Sequence, residues 1–100
     1  MTDRVLSGIG LATKAGKTAS GEFSTEKAIK EGNAYLVLIA EDASENTKKH
    51  FRDMCDYRKI PCCLYGNKEC LGHSMGKQTR ASLAVTDRGF AKMIQKQLEM

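Results

Sequence analysis

The sequence predicts an α/β fold arranged as a three-layer α/β/α sandwich. Short strand-patterned stretches alternate with helical stretches of about ten residues, and connections of that length are crossovers that build a largely parallel or mixed sheet covered by helices. The run Tyr35-Leu-Val-Leu-Ile-Ala40 is apolar on both alternations, as a central strand covered on both faces must be. With 100 residues, 41% of them hydrophobic and 28% charged, the chain buries one modest core, so residues 1–100 read as a single domain.

The elements follow in order. Residues 3–14 place Val5, Ile9 and Ala12 at helical spacing beside Leu6, with Thr2 or Asp3 as cap and Gly16 as stop. Lys17 to Ser20 suits a short edge strand. Ser24-Thr25-Glu26 opens a second helix with Ala28 and Ile29 inward, and Gly32-Asn33 stops it. After the central strand, Ser44 caps a third helix facing inward with Thr47, Phe51, Met54 and Cys55. Pro61 marks the restart as strand Cys62 to Tyr65. A short helix from Asn67 turns Cys70, Leu71, Ser74 and Met75 to one side and stops at Gly76. Ser82 to Thr86 is the last strand, and Asp87 caps a final helix with Phe90, Met93, Ile94 and Leu98 inward.

Several function classes fall away. The longest apolar run is far shorter than the roughly 18 residues of a membrane span, and MTDRVLSGIG has no continuous apolar segment of a secretory signal, so a cytoplasmic protein is expected. Cys55, Cys62, Cys63 and Cys70 form no C-x-x-C pair, and adjacent strand residues point to opposite faces. They read as ordinary thiols, with redox sensitivity and metal binding as lesser alternatives. The net charge of +4 permits a nucleic-acid partner without demanding one.

The stretch AGKTASG ends like a nucleotide-binding phosphate loop at Gly16-Lys17-Thr18. That loop requires a glycine where Leu11 stands, and it follows a strand and opens a helix, whereas here a helix precedes and a strand follows. His50 and His73 have no nucleophile or paired carboxylate in a catalytic context. Glu41-Asp42 closes a buried strand at its carboxyl end, where α/β sheets build sites, or simply forms an acidic helix entry. No enzyme is expected, and no cofactor.

Four stretches, ATKAGKTASG, KAIKEGNAYLVLIAEDAS, CDYRKIPCCLYGNKECLGHSMGK and RASLAVTDRGFA, together resemble one family. It is the kink-turn-RNA-binding ribosomal-protein family, of the archaeal and eukaryotic large-subunit seven-Ae and thirty-e type, and the chain is most similar to its short bacterial members. The resemblance implies a four-stranded mixed sheet and a non-catalytic partner of structured RNA, ribosomal or regulatory. It also implies an RNA grip at the turn after the first strand, where a Gly-x-Asn-Glu-x-x-Lys motif reads sheared G·A pairs at a sharp bend. Gly21 and Lys27 match the ends of that motif, with Glu22 between them, but Phe23 and Ser24 stand where the family has Asn and Glu. Phe23 is then either a stacking ring or a hydrophobic staple at the helix entry. The second implied contact is Thr79-Arg80-Ala81, and the third is Glu41 with Asp42. The grip loops are expected at one end of the sheet, with Lys14, Lys17, Lys27 and Arg80 as a single basic rim. Two rivals remain: a protein-interaction module on the same fold that has lost base reading, and a thiol or metal protein using Cys62, Cys63 and Cys70.

Overall fold

The structure, a computed structural model, describes residues 3–100. Its elements are α1 (Arg4–Lys14), β1 (Thr18–Ser20), α2 (Glu22–Lys30), β2 (Leu36–Ile39), α3 (Glu45–Arg58), β3 (Cys62–Leu64), α4 (Lys68–Ser74), β4 (Ser82–Val85) and α5 (Arg88–Gln97). The four strands form one sheet in the order β1-β4-β2-β3. β2 and β3, joined through α3, run parallel, while β4 returns antiparallel to both β1 and β2. The sheet is therefore mixed, with one parallel pair.

β2 and β4 are the interior strands and are buried along their whole length, whereas β1 and β3 form the two edges and are half-buried. α1 packs against α4 and α5 in one layer, and α2 packs against α3 in the other. Ile9, Ile29, Phe51, Leu71 and Ile94 project from the five helices and are fully buried around Leu36 to Ile39 and Leu83 to Val85. Each such side chain contributes about 1.5–3 kcal/mol of burial, an upper figure because the unfolded chain is already partly compact. This is the core that holds both helical layers to the sheet.

The caps expected from sequence form. Asp3 accepts from the Leu6 N–H at 3.0 Å, Ser44 from Thr47 at 3.1 Å and Asp87 from Phe90 at 2.9 Å; Asn67, from which the short helix was expected to run, also caps it, accepting from Cys70 at 2.7 Å. The alternative cap, Thr2, lies outside the described residues. Two expectations are corrected. α2 opens at Glu22 rather than at Ser24, because Gly21 takes φ 89° and its carbonyl accepts from the Thr25 N–H at 3.0 Å, which starts the helix without a side-chain cap. Met93 is 36% exposed and Ala91 is buried in its place, since the inward stripe of α5 runs through Ala91 and Ile94. No described helix is long and apolar enough to cross a membrane.

Candidate nucleic-acid interface

Strand register defines the two ends of the sheet. Ser20 pairs with Leu83 and Ile39 with Ser82, so the end of β1, the start of β4 and the end of β2 lie side by side. The Gly21 N–H donates to the Ser82 carbonyl at 3.0 Å and the Ala40 N–H to the Ala81 carbonyl at 2.9 Å, which extends this alignment into the loops. The Glu41 N–H donates to Gly66 at 2.8 Å, bringing the segment after β3 to the same end. The three loops singled out from sequence, around Gly21, around Glu41 and at Thr79 to Ala81, thus meet.

Arg80 is the centre of this end. Its Nε donates to Ser20 Oγ at 3.2 Å, its Nη1 to the Thr79 carbonyl at 2.6 Å, and its backbone N–H to the Lys68 carbonyl at 2.9 Å. Gly21 lies against it, since a Cβ there would stand 3.9 Å from Arg80 Cδ. The side chain is half-buried and held before any ligand arrives, so little of its rotamer freedom remains to be lost on binding. Beside it, the N–H groups of Glu22, Phe23 and Ser24 in the first turn of α2 have no acceptor among the described residues, because Gly21 offers no capping side chain. Unpaired N–H groups and the helix dipole make such a turn favourable for an anion.

Phe23 stands on that first turn and is 78% exposed, which overturns the staple alternative: no core residue covers the ring. A shallow groove between α2 and β1 is lined by Phe23, Ser24, Lys27 and Ala19, so the residues that replace the motif's centre share a wall with its terminal Lys. A second groove beside β1 runs from Thr13 and Thr18 past Ser24 to Lys77 and Arg80. Glu41 is exposed, whereas the Asp42 carboxylate accepts from the Lys68 N–H at 2.9 Å and ties the end of β2 to the start of α4. At the neighbouring start of α1, the Tyr65 hydroxyl donates to the Asp3 carboxylate. That contact holds Asp3 below its ordinary range and pushes the Tyr65 hydroxyl up to about 12.

The single basic rim is not formed. Thr18 pairs with Val85 and the Thr86 N–H donates to the Lys17 carbonyl at 2.8 Å, so Lys17 lies at the far end of β1, about 13 Å of extended chain away from Gly21, and Lys14 stands three residues before it at the end of α1. Lys27 stands between the two ends on α2. Sequence reasoning missed two cations at the Arg80 end, Lys68 and Lys77. Lys77 was legible in principle as the charged residue directly after the Gly76 stop, whereas Lys68 joins Arg80 through a backbone bond that no local pattern marks.

The four cysteines are free, Cys55 buried and the others half-buried. Cys70 Sγ accepts from the Asn67 N–H at 3.2 Å within the α4 cap. The Cys55 thiol is pushed up first by its hydrogen bond with the Cys62 side chain and then by burial. No group of three or more metal-ligating residues is assembled among the described residues.

Residues 3–95 match the ribosomal protein L7Ae/L30e/S12e/Gadd45 family. A Bacillus subtilis (strain 168) protein named RNA-binding protein YlxQ is 45% identical over 86 residues, covering 86% of each chain. A protein of the same name from Enterococcus faecium is 38% identical over 91% of this chain and 87% of its own. Among solved structures, a Bacillus halodurans protein of unknown function superposes with a TM-score of 0.94 at 33% identity, over 99% of this chain and 100% of its own. A Giardia lamblia 15.5kD RNA binding protein superposes with a TM-score of 0.81 at 20% identity, over 96% and 86%, and so shares the fold. By the extent of the match and the identity to these relatives, the chain belongs to the ribosomal protein L7Ae/L30e/S12e/Gadd45 family.

Proposed function

We propose that this protein binds structured RNA, without catalysing a reaction, and that it holds a kink-turn at the end of the sheet built around Arg80 and the first turn of α2. The observation that carries the reading is the juxtaposition of a pre-positioned guanidinium with three unpaired helix N–H groups across Gly21. The Gly at that position permits the φ of 89° that places the turn, and it leaves room for a phosphate backbone to approach. Family membership and the names of the Bacillus subtilis, Enterococcus faecium and Giardia lamblia proteins support an RNA partner.

In this reading Arg80 and the α2 N–H groups neutralise the phosphates crowded at the bend, assisted by Lys27 and Lys77. Phe23 gives a ring on which an unpaired base stacks, a sequence-tolerant contact in place of hydrogen bonds to base edges. Thr79 and Ala81 flank Arg80 and border the extruded nucleotide, and Glu41 approaches from the end of β2. The bent RNA is favoured because only it presents the phosphates and the splayed base together.

A gel-shift titration of a kink-turn RNA and of a straight duplex of equal length, at two salt concentrations, checks this. The expected result is tighter binding of the kink-turn, with the difference lost in Arg80→Ala. Equal affinity of the wild-type protein for both RNAs would overturn the kink-turn reading.

A further inference from the structure

The opposite end of the sheet carries its own group of cations. α2 and α3 finish there, α5 begins there and Lys17 leads into β1, which brings Lys17, Lys30, Arg58, Lys59, Arg88 and Lys92 to one side of the molecule. The Thr86 N–H donates to Lys17, the Tyr35 N–H to Val85 at 2.9 Å and the Val37 N–H to Pro61 at 2.9 Å, so the segments bearing these residues are bonded side by side. All six side chains are exposed. Among the described residues only Lys30 has an acid within ion-pair distance, Glu26 at 2.8 Å. The acids nearby are Glu31, Asp56 and Asp87, and the Asp87 carboxylate is engaged as the α5 cap.

Shape and chemistry narrow the partner. Two concavities open on this end and meet at Tyr35, one lined by Lys30, Arg58 and Lys59 and the other by Arg88 and Lys92. The Arg88 guanidinium lies 5.3 Å from the Tyr35 ring centre and the Arg58 guanidinium 5.4 Å from that of Tyr57, which is 83% exposed. Unpaired cations held close together repel one another, and a polyanion relieves that repulsion while releasing its counterions. Concavities spaced around a tyrosine suit the separate phosphates of a nucleic-acid backbone better than a flat lipid surface, and the guanidinium–ring pairs offer stacking faces beside them.

We infer that this end is a second RNA-contacting surface, which holds the phosphate backbone of a duplex segment without reading its sequence. It stands independently of the kink-turn reading, because it needs no bend. Combined with the proposed grip at the Arg80 end, it would let the protein bring two RNA segments together.

The test is fluorescence anisotropy of the intact protein with a straight RNA duplex, titrated at several salt concentrations. Arg58→Ala/Arg88→Ala/Lys92→Ala is expected to weaken duplex binding at least about tenfold and to flatten the log–log salt slope by about 0.9 for each phosphate left without its cation. Lys96→Ala, which removes an exposed cation at the finishing end of α5, is expected to leave both unchanged. Circular dichroism confirms folding of the triple variant, and the three single substitutions, each flattening the slope, replace it if it unfolds. Wild-type affinity of the triple variant for the duplex would overturn the proposal, as would an equal loss in Lys96→Ala. Preferential binding of phosphatidylserine vesicles or polyglutamate over the duplex would overturn it too. A protein that prefers no kink-turn yet shows the expected pattern here loses only the earlier reading.

Discussion

At the scale of single residues, the proposed grip of the α2 turn depends on Phe23. A ring that is 78% exposed contributes little to folding, so Phe23→Ala should change stability by less than about 0.5 kcal/mol in denaturant titration. Base–aromatic stacking is worth about 1–3 kcal/mol, so the same substitution should weaken kink-turn binding roughly 5- to 150-fold in the gel-shift assay. Undiminished affinity would mean that the ring does not touch RNA. This residue also marks a limit of reading sequence. Its identity as a departure from the Asn of the family motif was legible, but its exposure was not. A ring at a helix entry packs inward or outward according to where the helix begins, and Gly21 sets that start two residues earlier than Ser24 suggested.

At the scale of elements, the short helix α4 supports the Arg80 loop directly. A Cβ built on Gly72 would stand 2.6 Å from the Gln78 carbonyl oxygen and 2.8 Å from Thr79 Cα, so only glycine lets the loop lie on the helix. Gly72→Ala should therefore destabilise the protein by about 1–3 kcal/mol in denaturant titration and weaken RNA binding through displacement of Arg80. A second tie joins the start of α1 to the segment after β3 through Tyr65 and Asp3. Asp3 is held below its ordinary 3.8, so its contribution is present above that pH and is lost as pH falls through the lowered value. Tyr65 is raised from 10.0 to about 12, so its contribution is full below pH 10 and disappears as pH rises toward 12. Tyr65→Phe should flatten the stability profile in both windows, measured by urea unfolding across pH. The caps at Ser44 and Asp87 were legible because a cap is a local event within four residues. The direction in which β1 carries Lys17 away from Gly21 was not, because it depends on antiparallel pairing with β4, more than sixty residues later in the chain.

At the scale of the whole molecule, the order β1-β4-β2-β3 puts the most apolar strands at the centre and both helical layers around them. The expected consequence is a gradient of protection. Amides of Leu36 to Ile39 and Ser82 to Val85 should exchange most slowly with solvent, and those of β1 and β3 faster, as hydrogen-exchange NMR can measure. The three-layer arrangement was legible because the both-sided apolarity of Tyr35 to Ala40 has no other explanation in a chain without a membrane-length run. The separation of the cations into two ends was not legible, since it arises from strand order and not from any stretch of sequence.

The same strand order has a consequence for how copies of the protein behave together. Both free margins of the sheet, β1 and β3, are only three residues long and half-buried. Short, partly covered margins offer little template for another sheet to add to this one. Copies of the protein at high local concentration therefore have little route to edge-to-edge strand pairing.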